Sequence, residues 1–256
     1  MTILCYHSVQ PDWGSPLAMH PTTFEEHCDW LSKHRRVVPL AEAVDRLGHF
    51  GQLPRGIACL TFDDGFTGVR DYALPILTRY RLPATVFLVA KTLTEAGHPV
   101  DWVDTPAGYE LTTLNVEQVL EMQSAGVSFQ SHSDAHLDLT SLTFDDCVRD
   151  LRQSRELLES LLGRDVPLLA YPRGRHHEGV RAAAAAAGYT HAFTLPERRE
   201  RAGPYAVPRV GLYRGNSVRN LQIKSSYPYL ALRTSSAFRL GQRLNRAARR
   251  SRGGAP

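Results

Sequence analysis

Two carboxylates stand side by side, Asp63 and Asp64, in Leu60-Thr61-Phe62-Asp63-Asp64-Gly65, directly after the apolar run Ile57 to Leu60. Such a run suits a buried parallel strand, and the glycine marks the turn that ends it. Adjacent side chains leaving a strand point in different directions, so one carboxylate can hold a cation while its neighbour handles a proton. Alone, an Asp-Asp-Gly turn is equally an ordinary solvated acidic turn. The balance changes with Ser131-His132-Ser133-Asp134-Ala135-His136, which follows a second strand-like run, Val127 to Gln130, behind Gly126. Two imidazoles four residues apart, joined by one carboxylate, make a His/His/Asp set for a borderline divalent ion with positions left for water and substrate.

Elements with the right spacing to position these groups surround them. Strand-like runs at Thr2 to Tyr6, Val37 to Leu40, Ile57 to Leu60, Ala84 to Val89, Val127 to Gln130, Val166 to Tyr171 and Tyr189 to Thr194 alternate with helical spacing. The predicted helices cover Phe24 to His34, Ala41 to Leu47, Val69 to Tyr80 with a kink or restart at Pro75, Val116 to Ala125, a long stretch from the cap Thr143 to Gly163, and Gly179 to Ala187. Seven runs in this order predict an α/β fold whose parallel sheet closes into a barrel. His7, Asp63, Asp64, His132, His136 and Tyr171 to Gly174 each follow the C-terminal end of a predicted strand, so one barrel face gathers them. Residues 91 to 114 form a long connection holding Trp102, Asp104 and Tyr109, a length usually reserved for functional or disordered loops.

At these residues the chain resembles the polysaccharide deacetylases of carbohydrate esterase family 4. Thr61 to Gly65 resembles the family's first motif, His132 to His136 its His-(Ser/Thr)-x-x-His second motif, and Tyr171-Pro172-Arg173-Gly174 a divergent third; the likeness covers most of residues 1 to 215. The resemblance implies a distorted (β/α)7 barrel over residues 1 to 225, a divalent metal on Asp64, His132 and His136, and Asp63 as catalytic base. Zn2+ is the first choice of metal, with Co2+ and Ni2+ also suited. The implied reaction is hydrolysis of the acetamide of an N-acetylhexosamine in a glycan, glycolipid or sugar precursor. The family's usual third motif places an arginine before its proline; here Tyr171 precedes Pro172 and the arginine follows. Arg173 and Arg209 are therefore both candidates to orient Asp63 or hold the oxyanion. Tyr171, Pro172, Arg173, Gly174 and Arg209 are read as substrate-contacting, and Trp102 as a platform for a sugar ring. Typical relatives take the acid that protonates the leaving amine from a histidine near the end of the domain, but no histidine follows His191. Tyr6-His7-Ser8 resembles the permuted poly-N-acetylglucosamine deacetylase subgroup, in which the first strand supplies this acid, and so implies that role for His7. His176 and His177 are read as surface residues.

Composition sets bounds on these readings. The 256 residues, 43% hydrophobic and 22% charged, fit a soluble enzyme with a sizeable core, and no apolar run reaches membrane-spanning length. Cys5, Cys28, Cys59 and Cys147 lack C-x-x-C spacing and are expected reduced, as small hydrophobes. Polar residues follow Met1 too soon for a signal peptide, so a cytoplasmic protein is expected. No acidic residue follows Glu200, while residues 201 to 256 hold eleven Arg and one Lys, or +12. With a net charge of +4 overall, the first 200 residues carry −8. Residues 226 to 256 are thus a separate basic tail, and from Phe238 to Arg250 its leucines and alanines fall at helical spacing between arginines, behind Tyr227, Tyr229 and Leu230. Such a segment suits an anionic membrane surface at the inner leaflet; nucleic acid is a weaker match. Nothing in the sequence fixes an oligomeric state. Two other functions remain open at this level: a deformylase or non-sugar amidohydrolase of the same fold, and a glycan-binding module that has lost turnover.

Overall fold

The computed structural model describes residues 2–50, 55–93, 100–105, 110–196, 200, 202–226 and 228–235. Tyr109, Tyr227 and the segment Phe238 to Arg250 lie outside these residues. The chain opens with β1 (Thr2–Tyr6), then a small parallel pair β2 (Ser8–Val9) and β3 (Ala18–Met19). The first helix, α1 (Pro21–His34), carries its proline in the first turn, where the missing N–H is harmless, and the His20 side chain accepts a bond from the Thr22 amide. Next come β4 (Arg36–Val37), α2 (Leu40–Phe50) and the fully buried β5 (Ile57–Phe62). Pro75 is accommodated rather than kinking a helix. A π-helical stretch, Val69–Ala73, precedes α3 (Leu74–Tyr80), so Pro75 falls in the first turn of α3.

The remaining units follow as β6 (Ala84–Leu88), α4 (Val116–Ser124), β7 (Ser128–Ser131), α5 (Phe144–Leu162), β8 (Leu168–Ala170), α6 (Glu178–Ala186) and β9 (His191–Thr194). Thr143 caps α5 by accepting from the Asp146 amide, and Gly163 ends it at φ 62°, as the cap and stop residues predict. After β9 the chain forms β10 (Val207–Pro208), β11 (Val210–Gly211), α7 (Val218–Lys224) and α8 (Tyr229–Arg233).

All strand pairs in the main sheet are parallel, running β1–β5–β6–β7–β8–β9. The segment Val207 to Gly211 brings the two ends together: its first half pairs with β9 and its second half with β1. This nearly closed seven-stranded ring confirms the (β/α)7 expectation but reassigns one strand. The run Val37 to Leu40 is not a barrel strand; β4 pairs with β5 off the ring, and Leu40 already belongs to α2.

Period-two alternation sorts the strand side chains. Ile3, Cys59, Phe87, Leu168, Ala170, Phe193 and Val207 form one buried cluster with Leu40, Ala43 and Val44 of α2, so α2 packs against the interior of the ring. The alternate residues Leu4, Tyr6, Leu60, Phe62, Val86, Leu88 and Phe129 pack in a second cluster with Phe24, Leu31, Leu77, Met122 and Leu158 of the surrounding helices. Continuing the inward parity past the strand ends selects His7, Asp63, His132 and Arg209. Among the described residues, no helix is long and apolar enough to cross a membrane.

A buried polar cluster locks the end of β7 to α5 and β9. The Tyr189 hydroxyl lies 2.7 Å from Ser131 Oγ and 2.9 Å from the Leu151 carbonyl oxygen, and Ser131 Oγ is 2.8 Å from Ser154 Oγ. Tyr189→Phe leaves these partners short of one bond in a buried site, and we expect a loss of about 1–3 kcal/mol. Urea denaturation checks this, and an unchanged midpoint would show that the cluster does not hold β7.

Candidate active site

Asp63 extends the β5 ladder by one bond, its amide donating to the Tyr6 carbonyl at 3.0 Å. Its side chain is 2% exposed and bound edge-on by Arg209, with Nη1 to Oδ1 and Nη2 to Oδ2 both at 2.7 Å. Arg209 sits between β10 and β11, and its own amide donates to Thr194 at 2.9 Å. Its Nη1 also donates to Thr61 Oγ1 at 3.2 Å, while the Thr61 hydroxyl donates to Leu4 O at 2.8 Å. Cys5 adds a thiol donor to Asp63 Oδ2 at 3.3 Å. Burial opposes ionisation of Asp63, but the charge and hydrogen bonds of Arg209 override it and hold the carboxyl well below the ordinary range. Burial pushes the Cys5 thiol far up, so it remains a neutral donor.

Asp64 takes the opposite course. At φ 70° its backbone turns left-handed before Gly65, itself at φ 68°, where an added Cβ would lie 2.6 Å from Leu88 Cδ2. This turn carries the Asp64 carboxylate away from Arg209 and toward two imidazoles: Oδ1 is 3.5 Å from His132 Nε2 and 3.2 Å from His136 Nε2. Burial opposes ionisation here too, but the surrounding histidines, His136 first, keep the carboxyl below its usual range. His132 continues the β7 ladder, its amide donating to Leu88 O at 2.7 Å. Its Nδ1 donates to Ala170 O at 2.8 Å, which leaves the Nε2 lone pair for a ligand. Burial lowers the His132 pKa to about 4, so the ring is neutral.

Side chains wrap the loop between the two histidines. Ser131 Oγ accepts from the Ser133 amide at 3.2 Å, Ser133 Oγ from the His136 amide at 3.1 Å, and the buried Asp150 Oδ1 from the Asp134 amide at 3.1 Å. These bonds hold Ser133 at φ 70° and His136 at φ 53°, conformations that nonglycine residues keep only when their surroundings enforce them. The ligand atoms of Asp64, His132 and His136 all lie within 4.8 Å of one another. Donors on a tetrahedral ion with bonds of about 2.0–2.2 Å stand about 3.3–3.6 Å apart, close to the separations from Asp64 Oδ1. The donor set, the fixed His132 tautomer and the spacing thus fit one small divalent ion.

His7 lies on the same mouth. One of its ring nitrogens is within 4.8 Å of both Cys5 Sγ and an Asp63 carboxylate oxygen, and its ring stacks at 6.1 Å on Tyr213, a contact the sequence did not suggest. Trp102 reaches the centre from the long connection after β6, donating from Nε1 to Asp64 Oδ1 at 3.2 Å. Its ring lies 5.0 Å from that of His136.

The third-motif segment departs from expectation. Tyr171 is fully buried on the outward parity of β8, packed with α5 and α6, and its hydroxyl bonds Tyr205 O at 3.2 Å; its side chain therefore offers nothing to a substrate. Pro172 is buried, Arg173 is exposed at φ 56°, and Gly174 at φ 67° fits against Leu195, which an added Cβ would meet at 2.6 Å. Arg209, read both as a candidate to orient Asp63 and as substrate-contacting, is 1% exposed and committed to Asp63, in line with the first reading and not the second. His176 is not a surface residue: its side chain is 6% exposed, pairs with Glu200 at 2.9 Å and stacks on Tyr171. His177 caps α6.

Comparison with known proteins agrees with this geometry. The polysaccharide deacetylase family model matches residues 51–192. The chain belongs to this family. YxkH of Bacillus subtilis, named as a polysaccharide deacetylase, is 30% identical over 221 residues, covering 85% of this chain and 73% of the relative. The poly-beta-1,6-N-acetyl-D-glucosamine N-deacetylase of Staphylococcus epidermidis is 26% identical over 202 residues, 73% of this chain and 65% of the relative. Among solved structures, the Streptococcus pyogenes deacetylase PplD in complex with acetate matches with TM-score 0.73 at 25% identity, covering 88% of this chain and 98% of that one. IcaB from Ammonifex degensii matches with TM-score 0.72 at 25% identity over 88% of this chain and 96% of its own. The chain is therefore a metal-dependent carbohydrate deacetylase by family, and neither the deformylase reading nor the silent binding module is favoured.

Removing Arg209 leaves an uncompensated buried carboxylate. We expect Arg209→Gln to lower stability by about 3–5 kcal/mol, with part of the loss recovered in the double variant with Asp63→Asn. Chemical denaturation of the single and double variants checks this, and a neutral single variant would overturn the assignment of the pair.

Proposed function

We propose that the protein removes the acetyl group from an N-acetylhexosamine residue, with Asp64, His132 and His136 holding Zn2+, Asp63 as general base and His7 as general acid. The observation that carries the reading is the contrast between the adjacent carboxylates. Asp63 has both oxygens engaged by Arg209, whereas Asp64 has one oxygen between two imidazole nitrogens. A divalent metal held by Asp64, His132 and His136 would supply a Lewis acid for the acetamide carbonyl and would acidify the attacking water. Asp63 takes the water proton, and its fixed orientation, with three donors on two oxygens, sets the direction from which that proton arrives. His7, within 4.8 Å of the same carboxylate, gives a proton to the departing amine, which could not leave as an anion.

The N-deacetylase activity for which the staphylococcal relatives are named supports a poly-N-acetylglucosamine chain as the first substrate to test. The +12 carried by residues 201 to 256 supports a cytoplasmic enzyme held at an anionic membrane surface, where it would meet lipid-linked or nascent sugar. Acetate release from short β-1,6-linked N-acetylglucosamine oligomers, with Zn2+ supplied, is the direct assay. Asp63→Asn and His7→Ala are each expected to lower kcat by on the order of 10²–10⁴-fold. Near-normal turnover in Asp63→Asn would remove the base assignment, and near-normal turnover in His7→Ala would return the acid role to another group.

A further inference from the structure

The two histidines beside Asp64 are not held in the same way. His132 has the usual support of a metal-ligating imidazole, its Nδ1 donating to a main-chain carbonyl at 2.8 Å. His136 lacks it: its Nδ1 is buried and has no hydrogen-bond partner among the described residues. The ring is instead covered by Trp102, with centroids 5.0 Å apart and planes inclined by 27°. The same indole donates from Nε1 to Asp64 Oδ1, the oxygen that faces both histidine Nε2 atoms. One side chain thus fixes the ring of one ligand and the acting oxygen of another.

The backbone brings Trp102 there by design of the connection. Thr113 bridges antiparallel to Phe66 just past the Asp-Asp-Gly turn, the Leu114 amide donates to Gly65 O at 2.8 Å, and the Val100 amide donates to Leu111 O at 2.9 Å. Trp102 and Val103 pack against the buried group of Trp13, Ala18, Phe66 and Leu111. The indole is therefore anchored from the side of the turn that carries Asp64.

We infer that Trp102 is a positioning residue for the metal centre, replacing the missing hydrogen bond of His136 by ring stacking and orienting Asp64 through its N–H. This rests on the metal set Asp64, His132 and His136. One face of the indole is occupied by His136.

The test uses full-chain protein loaded with one equivalent of Zn2+ and titrated with a chromogenic chelator, so that Kd is read without turnover. Trp102→Leu removes both contacts and is expected to weaken Zn2+ binding about 10–100-fold. Trp102→Phe keeps a ring over His136 but loses the N–H, and is expected to fall between Trp102→Leu and wild type. Wild-type tryptophan emission should also change on chelation, and Trp102→Phe should lose that change while Trp30→Phe keeps it. Unchanged Kd in both Trp102 variants, with binding abolished in His132→Ala, would overturn the role of Trp102 alone. Wild-type protein that binds no Zn2+, or that binds it equally well as His132→Ala, would overturn the metal set and this inference with it.

Discussion

The buried ion pair between Asp63 and Arg209 is the interaction on which the site depends. Arg209 lies in the segment whose two halves pair with opposite ends of the sheet, so the residue that keeps Asp63 charged also sits at the point where the barrel closes. An unpaired carboxylate at this depth would take up a proton rather than stay charged. Paired, it is ionised and rigid, but it is also a weak base. A carboxylate held this acidic accepts a proton only from a strongly acidified donor, so the role of base proposed for Asp63 goes together with the metal proposed on Asp64 beside it.

Turning Asp64 toward His132 and His136 while Asp63 faces Arg209 takes a left-handed backbone turn at Asp64. Asp63 keeps the strand's alternation and points inward; Asp64, at φ 70°, is turned out of it. Ser133 and His136 are held in the same unusual region, and the side chains that enforce this, Ser131, Ser133 and Asp150, come from the strand end, the loop and the packed helix α5. Strain of roughly 1–3 kcal/mol per residue is thus concentrated at Asp64, Ser133 and His136 and offset by packing in the barrel wall.

Much of this was legible because strands and chemistry share one rule. Thr2 to Tyr6 and the strand beginning at Ile57 read correctly as buried runs, and the residues just past them had to gather on one face. The same rule, followed with parity, would have placed Cys5 beside Asp63 and turned Tyr171 away from the mouth, since Leu169 and Tyr171 share the outward face. The seventh strand escaped because Val207-Pro208-Arg209-Val210 is short, holds a proline and a charge, and pairs with a different strand on each side. A buried arginine has no sequence signature apart from its partner, and the partner lies 146 positions away. The contacts of Trp102 with Asp64 and His136 were not legible because the contacts of a long loop depend on what it crosses.

The division of labour between Asp63 and Asp64 is tested most directly by metal content. Elemental analysis of purified, folded Asp63→Asn and Asp64→Asn proteins, reconstituted with Zn2+ under identical conditions, compares the two carboxylates without reference to turnover. The geometry predicts that Asp63→Asn retains the ion and Asp64→Asn does not. A metal-free Asp63→Asn protein, or an Asp64→Asn protein loaded like wild type, would contradict it.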